Sequence, residues 1–255
     1  MMESLPVSYV AVMVLAFLSG GTTLIGVALA IAIGKNPKLT TMGIGFSTGI
    51  MVLISVFELI PESLSIAGAA TSIISAGLGA GLILALHVLI PHVHLDRERP
   101  PSVELRAAYL VALGLILHDV LEGFAMANAF LASPSLGVLV AIAIALHNIP
   151  EEFAIAIPAV AVKNRTLLFK AAIVSGLAEP VGAILGLFAV HLNPALNPSL
   201  MAIAAGAMVM ISFLELVPMA RKFGKMESFA LGIAGSVVVY LALHAVFSHE
   251  RSGIP

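Results

Sequence analysis

The chain has 255 residues, of which 60% are apolar and only 10% charged, and its mean hydropathy is +1.11. An ordinary soluble domain carries about 25% charged residues, so a soluble protein is excluded and an integral membrane protein remains. The formal net charge of -2 decides little here, since distribution matters more than balance; no nucleic-acid partner is expected, and the absence of cysteine leaves His, Asp, Glu, Asn and Met as the metal donors.

A helix needs about 20 apolar residues to cross roughly 30 Å of hydrocarbon. Such windows fall eight times, at residues 6–33, 41–64, 68–91, 107–131, 136–162, 168–191, 197–219 and 227–248. The runs are too long for barrel strands and lack their period-two alternation, so the fold class is an all-α integral membrane protein with the lipid bilayer as its solvent. The first run follows Glu3 with no basic segment before it and is too long for a signal core, so it reads as a retained helix.

Basic residues set the expected orientation. Lys35 and Lys38 follow the first span; Arg97, Arg99 and Arg106 precede the fourth; Lys163, Arg165 and Lys170 follow the fifth; Arg221, Lys222 and Lys225 follow the seventh. Those loops share one side, which the positive-inside rule makes cytoplasmic, and both termini then lie on the non-cytoplasmic side of a cell membrane. The opposite connections, Leu131 to Gly137 and His191 to Ser199, carry no Lys or Arg. The longest cytoplasmic loop, residues 92–106, holds Pro100 and Pro101 with mixed charge and reads as mobile. Its His92 and His94 either catch a departing metal or are incidental residues of a solvated loop.

The second and seventh spans repeat. GIMVLISVFELIP, from Gly49, realigns with GAMVMISFLELVP, from Gly206, at an offset of 157, so Glu58 falls on Glu215 and Pro61 on Pro218. More weakly, Ser19, Gly20 and Gly26 fall on Ser175, Gly176 and Gly182 at an offset of 156. Five spans separate the copies, so they run in opposite directions. The plan is an inverted repeat of three, two and three helices: residues 6–91, a central pair 107–162, and residues 168–248.

The central pair carries the chemistry, in the hexads HDVLEG (from His118) and HNIPEE (from His147), 29 residues apart. On a helix His118 and Glu122 share one face, as do His147 and Glu151, and each face is half of a metal site. Asp119 and Asn148 stand three residues before the same glutamates, so a second metal position beside the first is geometrically open. An ionisable group at mid-membrane costs roughly 2.5 to 3.5 kcal/mol even on the lenient scale, which makes these residues functional by default. His118, His147 and Glu179 each lie eleven residues past the expected start of their span, close to the midplane. Two imidazoles and two carboxylates suit zinc, and Asp119, Asn148 and Glu179 with the shared glutamates make a harder, oxygen-rich neighbour. Metal arrival is expected to release protons. Glu58 and Glu215, near opposite ends of their spans, read as the mouths of the path or as proton-relay groups. Met51, Met126, Met208 and Met210 read as packing. Pro150 and Pro180 withdraw donors from the carbonyls of Leu146 and Gly176, a device that either exposes oxygens beside the ligands or is the ordinary proline of membrane helices.

At these residues the sequence resembles the ZIP (Zrt/Irt-like protein) family of divalent metal transporters. HNIPEE is similar to its HNxPEG signature, SGLAEPVGA (Ser175 to Ala183) to the sixth helix of its GufA-like prokaryotic branch, and AAGAMVMISFLELVP (Ala204 to Pro218) to the seventh. The resemblance implies uptake of zinc, with iron, manganese and cadmium as further substrates, into the cytoplasm through a binuclear centre. It assigns His118, Glu122, His147 and Glu151 to the primary site, and Asp119, Asn148 and Glu179 with the shared glutamates to the second. It also implies that helices one, four, five and six move against two, three, seven and eight in an elevator step, within a homodimer. Two departures stand out: HDVLEG replaces Asn and Pro by Asp119 and Leu121, and Glu152 stands in place of Gly. Glu152 is open to three readings: third-site ligand, proton carrier or helix contact. An intramembrane metal-dependent hydrolase is the alternative, though HExxH is absent. A di-iron carboxylate bundle is the third reading.

Overall fold

The computed structural model describes residues 5–89, 101–160 and 165–251. Hydrocarbon offers the backbone no hydrogen-bond partner, and every described element is accordingly helical. Eight helices follow one another: α1 (Leu5–Ile33), α2 (Pro37–Ala67), α3 (Ala69–Leu89), α4 (Pro101–Ala132), α5 (Pro134–Val160), α6 (Arg165–Leu192), α7 (Pro194–Phe223) and α8 (Met226–Arg251). Among the described residues seven are long and apolar enough to cross a membrane, α4 being the eighth helix, and the chain is a multi-pass membrane protein. His92 and His94 lie outside the described residues.

The ends of the helices follow local chemistry. Proline opens α2, α4, α5 and α7, where its missing N–H would have had no helical partner. Asn36 caps α2 by accepting from the N–H of Leu39 at 3.1 Å, and Asn193 caps α7 by accepting from that of Ala195 at 3.1 Å. α4 starts six residues before the expected 107, because Pro101 launches a helix that carries the charges of Glu104 and Arg106 with it. The equal eleven-residue counts therefore do not hold. What brings the hexads to one level is direct contact between them.

α2 and α7 share more than their caps. Each widens into a π turn, Ser55–Leu59 in one and Ser212–Leu216 in the other, just ahead of Pro61 and Pro218. Within those turns the N–H of Ile60 reaches the carbonyl of Ser55, and the N–H of Val217 reaches that of Ser212. Each proline can donate to no preceding carbonyl, and the wider turn takes up the mismatch.

The neighbour relations are balanced across the chain. α1 packs on α5 and α4 on α6; α2 packs on α8 and α3 on α7; α2 meets α5 and α4 meets α7. α1 and α6 cross at Gly20 and Gly176, where a Cβ on Gly20 would stand 2.1 Å from the carbonyl oxygen of Gly176. Only glycine permits that approach. The large buried side chains come from α2, α4, α5 and α7, among them Ile44, Ile50, Met126, Leu139, Ile144 and Met201. α1, α3, α6 and α8 turn Phe17, Ile73, Phe188, Val238 and similar residues outward as an apolar coat.

Candidate metal centre

α4 and α5 form an antiparallel hairpin about Ser133, so each hexad meets the other partway along its helix. His118, Asp119, Glu122, His147, Asn148, Glu151, Glu152 and Glu179 are all buried. Nε2 of His118 lies 2.9 Å from Oε1 of Glu122 on its own helix and 3.4 Å from Oε1 of Glu151 across the hairpin. Nε2 of His147 lies 2.6 Å from that same Glu122 oxygen. The structure thus brings the four expected primary residues together.

Nδ1 of His147 is 2.9 Å from the carbonyl of Ala143 one turn back. A carbonyl only accepts, so Nδ1 carries a proton and Nε2 is the nitrogen aimed at the centre. The backbone around it is held from outside, since the Ser47 hydroxyl on α2 donates to the carbonyl of His147 at 2.8 Å.

Donor atoms converge as they do around an ion. One from each of His118, His147 and Glu151 lie within 4.8 Å of one another, and so do those of His118, Asp119 and Glu122. Two buried carboxylate oxygens of this cluster have no hydrogen-bond partner, Oε2 of Glu122 and Oε2 of Glu151. Buried polar atoms without partners cost about 1–3 kcal/mol each, more when charged. A cation seated beside them would satisfy both and would draw on Nε2 of His118, which meets only carboxylate oxygens. Among the described residues no Lys or Arg pairs with these carboxylates; the ion pairs found are all histidine to glutamate.

The remaining donors split into two groups. Glu179 on α6 receives the side-chain amide of Asn148 at 2.5 Å and the hydroxyl of Ser19 on α1. Asp119 faces the hydroxyl of Ser175 on α6, which also lies 2.8 Å from Oε1 of Glu152. Glu152 therefore belongs to a polar group beside Asp119. A serine hydroxyl has one proton to give, so it donates to one of Asp119 and Glu152 and can meet the other only by accepting from it as a protonated carboxyl group. Ser19 and Ser175 were not among the expected ligands, although the repeat pairs them at matching positions. Burial and matched position together were the signal.

Glu58 is buried between α2 and α8, where it accepts from the Tyr240 hydroxyl at 3.0 Å and contacts Nδ1 of His244 at 2.7 Å. It sits in a helix interface. Glu215 is half-buried on α7. Met51, Met126 and Met208 are fully buried in the main core, and Met210 packs against a smaller cluster on α7, so all four are packing residues.

A family model described as ZIP Zinc transporter matches residues 90–244, which include both hexads and Glu179. A protein of Chlorobium phaeovibrioides named Zinc transporter ZupT is 38% identical over 257 aligned positions, spanning 91% of this chain and 96% of the relative. Proteins of the same name from Escherichia fergusonii and Shigella flexneri are each 34% identical, spanning 91% and 87% of this chain and 95% and 91% of their own.

Proposed function

The chain belongs to the ZIP zinc transporter family, and from that membership we propose that it carries zinc, with iron, manganese and cadmium as further divalent substrates, into the cytoplasm. It is a transporter and not an enzyme, which removes the metallohydrolase alternative. The observation that carries the reading is the quartet His118, Glu122, His147 and Glu151, buried and joined across α4 and α5 with two carboxylate oxygens unsatisfied.

In this reading zinc sheds water onto that quartet, exchanging hydration for two imidazoles and two carboxylates. Asp119, Asn148 and Glu179 form the second seat, with Glu122 and Glu151 shared between the two. Nε2 of His147 and Oε1 of Glu122 stand at hydrogen-bond distance, so a proton lies between them without metal. An arriving cation replaces that proton, and uptake is coupled to proton release. Glu215 and Glu58 serve the two mouths of the path, and His92 and His94 receive the ion on the cytoplasmic side.

The residues of the two seats, with Ser19 and Ser175, come from α1, α4, α5 and α6, while α2 with α8 and α3 with α7 form the flanking pairs. That division supports an elevator step in which the first group slides against the second. The balanced contacts and the matching caps and π turns support a twofold axis in the membrane plane between α4 and α5. Both termini lie outside the cytoplasm, and the transporter works as a homodimer in the cell membrane.

The test is zinc influx into proteoliposomes holding a trapped fluorescent indicator. Influx is expected from the wild-type chain and not from the His118→Ala, His147→Ala double variant. Undiminished influx through the double variant would overturn the proposal.

A further inference from the structure

A cleft opens beside the second hexad, where Ile149, Pro150 and Phe153 form part of its wall. It has a volume of about 340 Å³ and is lined by residues including Leu29 of α1, Leu39 and Phe46 of α2, Pro150 of α5, and Leu231 and Gly235 of α8. Its walls are almost wholly carbon. One wall comes from α1 and α5, which carry metal-site residues, and the other from α2 and α8, which do not. Gly235 helps hollow it: a Cβ there would meet nothing nearer than Phe46 Cδ2 at 3.9 Å.

The cleft reaches toward one charged end of the bundle. Leu39 lies in the first turn of α2 beside Lys38, with Lys35 just ahead of the helix, and both lysines are exposed. Leu231 lies near the start of α8, which Arg221, Lys222 and Lys225 precede, all exposed, against Glu227 in its first turn. None of these five cations has an ion pair among the described residues. An apolar slot at hydrocarbon depth, with unpaired cations at its headgroup end, matches one ligand in both halves.

We propose that the cleft is a binding site for an anionic phospholipid of the surrounding bilayer, one acyl chain lying in the slot and the phosphate held by Lys35 and Lys38. The chain fills the seam between the helices that bear the metal residues and those that flank them. Charge complementarity selects the lipid over a second copy of this protein, whose matching end would bring cations against cations.

Native mass spectrometry of the purified full-length chain tests this, with dioleoyl phosphatidylglycerol and dioleoyl phosphatidylcholine as probes. Its readout is independent of transport, so failure here leaves the transport proposal standing. Wild type is expected to retain phosphatidylglycerol in preference to phosphatidylcholine. The preference should fall by about fivefold for each lysine neutralised, in Lys35→Gln and Lys38→Gln. Gly235→Leu, which fills the slot, should reduce retention of both lipids, with thermal unfolding confirming the fold. Lys35→Gln and Lys38→Gln, on exposed positions, keep the test open should Gly235→Leu misfold. Equal retention of the two lipids by wild type would overturn the proposal. So would unchanged retention in Gly235→Leu, or a dimer that this variant dissociates while lipid retention stays the same.

Discussion

Nε2 of His147 stands 2.6 Å from Oε1 of Glu122, and this contact ties α5 to α4 through two atoms that water does not reach. Each group is anchored elsewhere: the imidazole by the Ala143 carbonyl, the carboxylate by its second histidine, His118. Glu122→Gln keeps the shape and removes the charge. It is expected to weaken zinc binding by more than about a hundredfold, beyond the usual effect of losing an outer partner. Calorimetric titration of the purified chain checks it, and binding as tight as in wild type would refute the shared role of Glu122.

Zinc affinity should fall as the medium is acidified. The proton between His147 and Glu122 must leave before a cation takes its place, so binding competes with protonation. Each proton displaced makes affinity rise by about tenfold per pH unit over the range in which it is held. Titrations in two buffers of different ionisation heat would count the protons, and a count of zero would contradict the exchange.

Ser19 and Ser175 act through the carboxylates they hold. Among the described residues, Ser19→Ala leaves Glu179 with Asn148 as its hydrogen-bond partner, and Ser175→Ala removes the hydroxyl facing Asp119 and Glu152. Each change is expected to weaken metal binding by about ten- to a hundredfold. Restored affinity in Ser19→Thr, which keeps the hydroxyl, would separate this positioning role from a loss of fold.

Gly20→Val should destabilise the chain. The new Cβ would meet the Gly176 carbonyl at 2.1 Å, and that neighbour is backbone, which cannot swing aside. Overpacking costs typically 1–3 kcal/mol, and a forced separation of α1 from α6 belongs at the upper end. Thermal unfolding in detergent would show it, whereas Gly21→Val, with nothing within 4 Å of its Cβ, should leave the transition in place.

Tyr240→Phe removes a hydroxyl from buried Glu58, which His244 of α8 also contacts. The expected cost is about 1–3 kcal/mol of stability, since a buried carboxylate then loses a donor. Chemical denaturation monitored by circular dichroism measures it, and an unchanged midpoint would mean that other partners hold Glu58.

Much of this was legible because the membrane simplifies the code. Hydropathy alone located eight helices to within a few residues, since a hydrocarbon-facing backbone has almost no alternative. The error at α4 came from charge: Glu104 and Arg106 end an apolar window, yet they continue a helix opened by Pro101. The quartet was readable from two hexads with four-residue spacing, a pattern without solvating purpose in an apolar run. Ser19 and Ser175 were visible only as matched positions, because serine is common in membrane helices and its partners are distant in sequence. Tyr240 and His244 beside Glu58 gave no signal at all; their meeting depends on how α8 lies against α2. The π turns were hidden for a related reason, since the letters Ser-Val-Phe-Glu-Leu suit an α turn equally well.

A π turn holds one residue more than the α turn it replaces, and one residue is roughly 100° of rotation. Everything beyond Leu59 in α2, and beyond Leu216 in α7, therefore sits one residue out of step with the α count that precedes it. Adding a further residue to Ser55–Leu59 would leave the helix no less apolar and nearly as long, yet with the turn already widened it would swing Glu62 and Ser63 to a new azimuth and part Ser63 from Ser72. Hydropathy would register nothing. The rods are keyed by angle as well as by length, and a substitution-tolerant sequence can still be intolerant of a one-residue insertion.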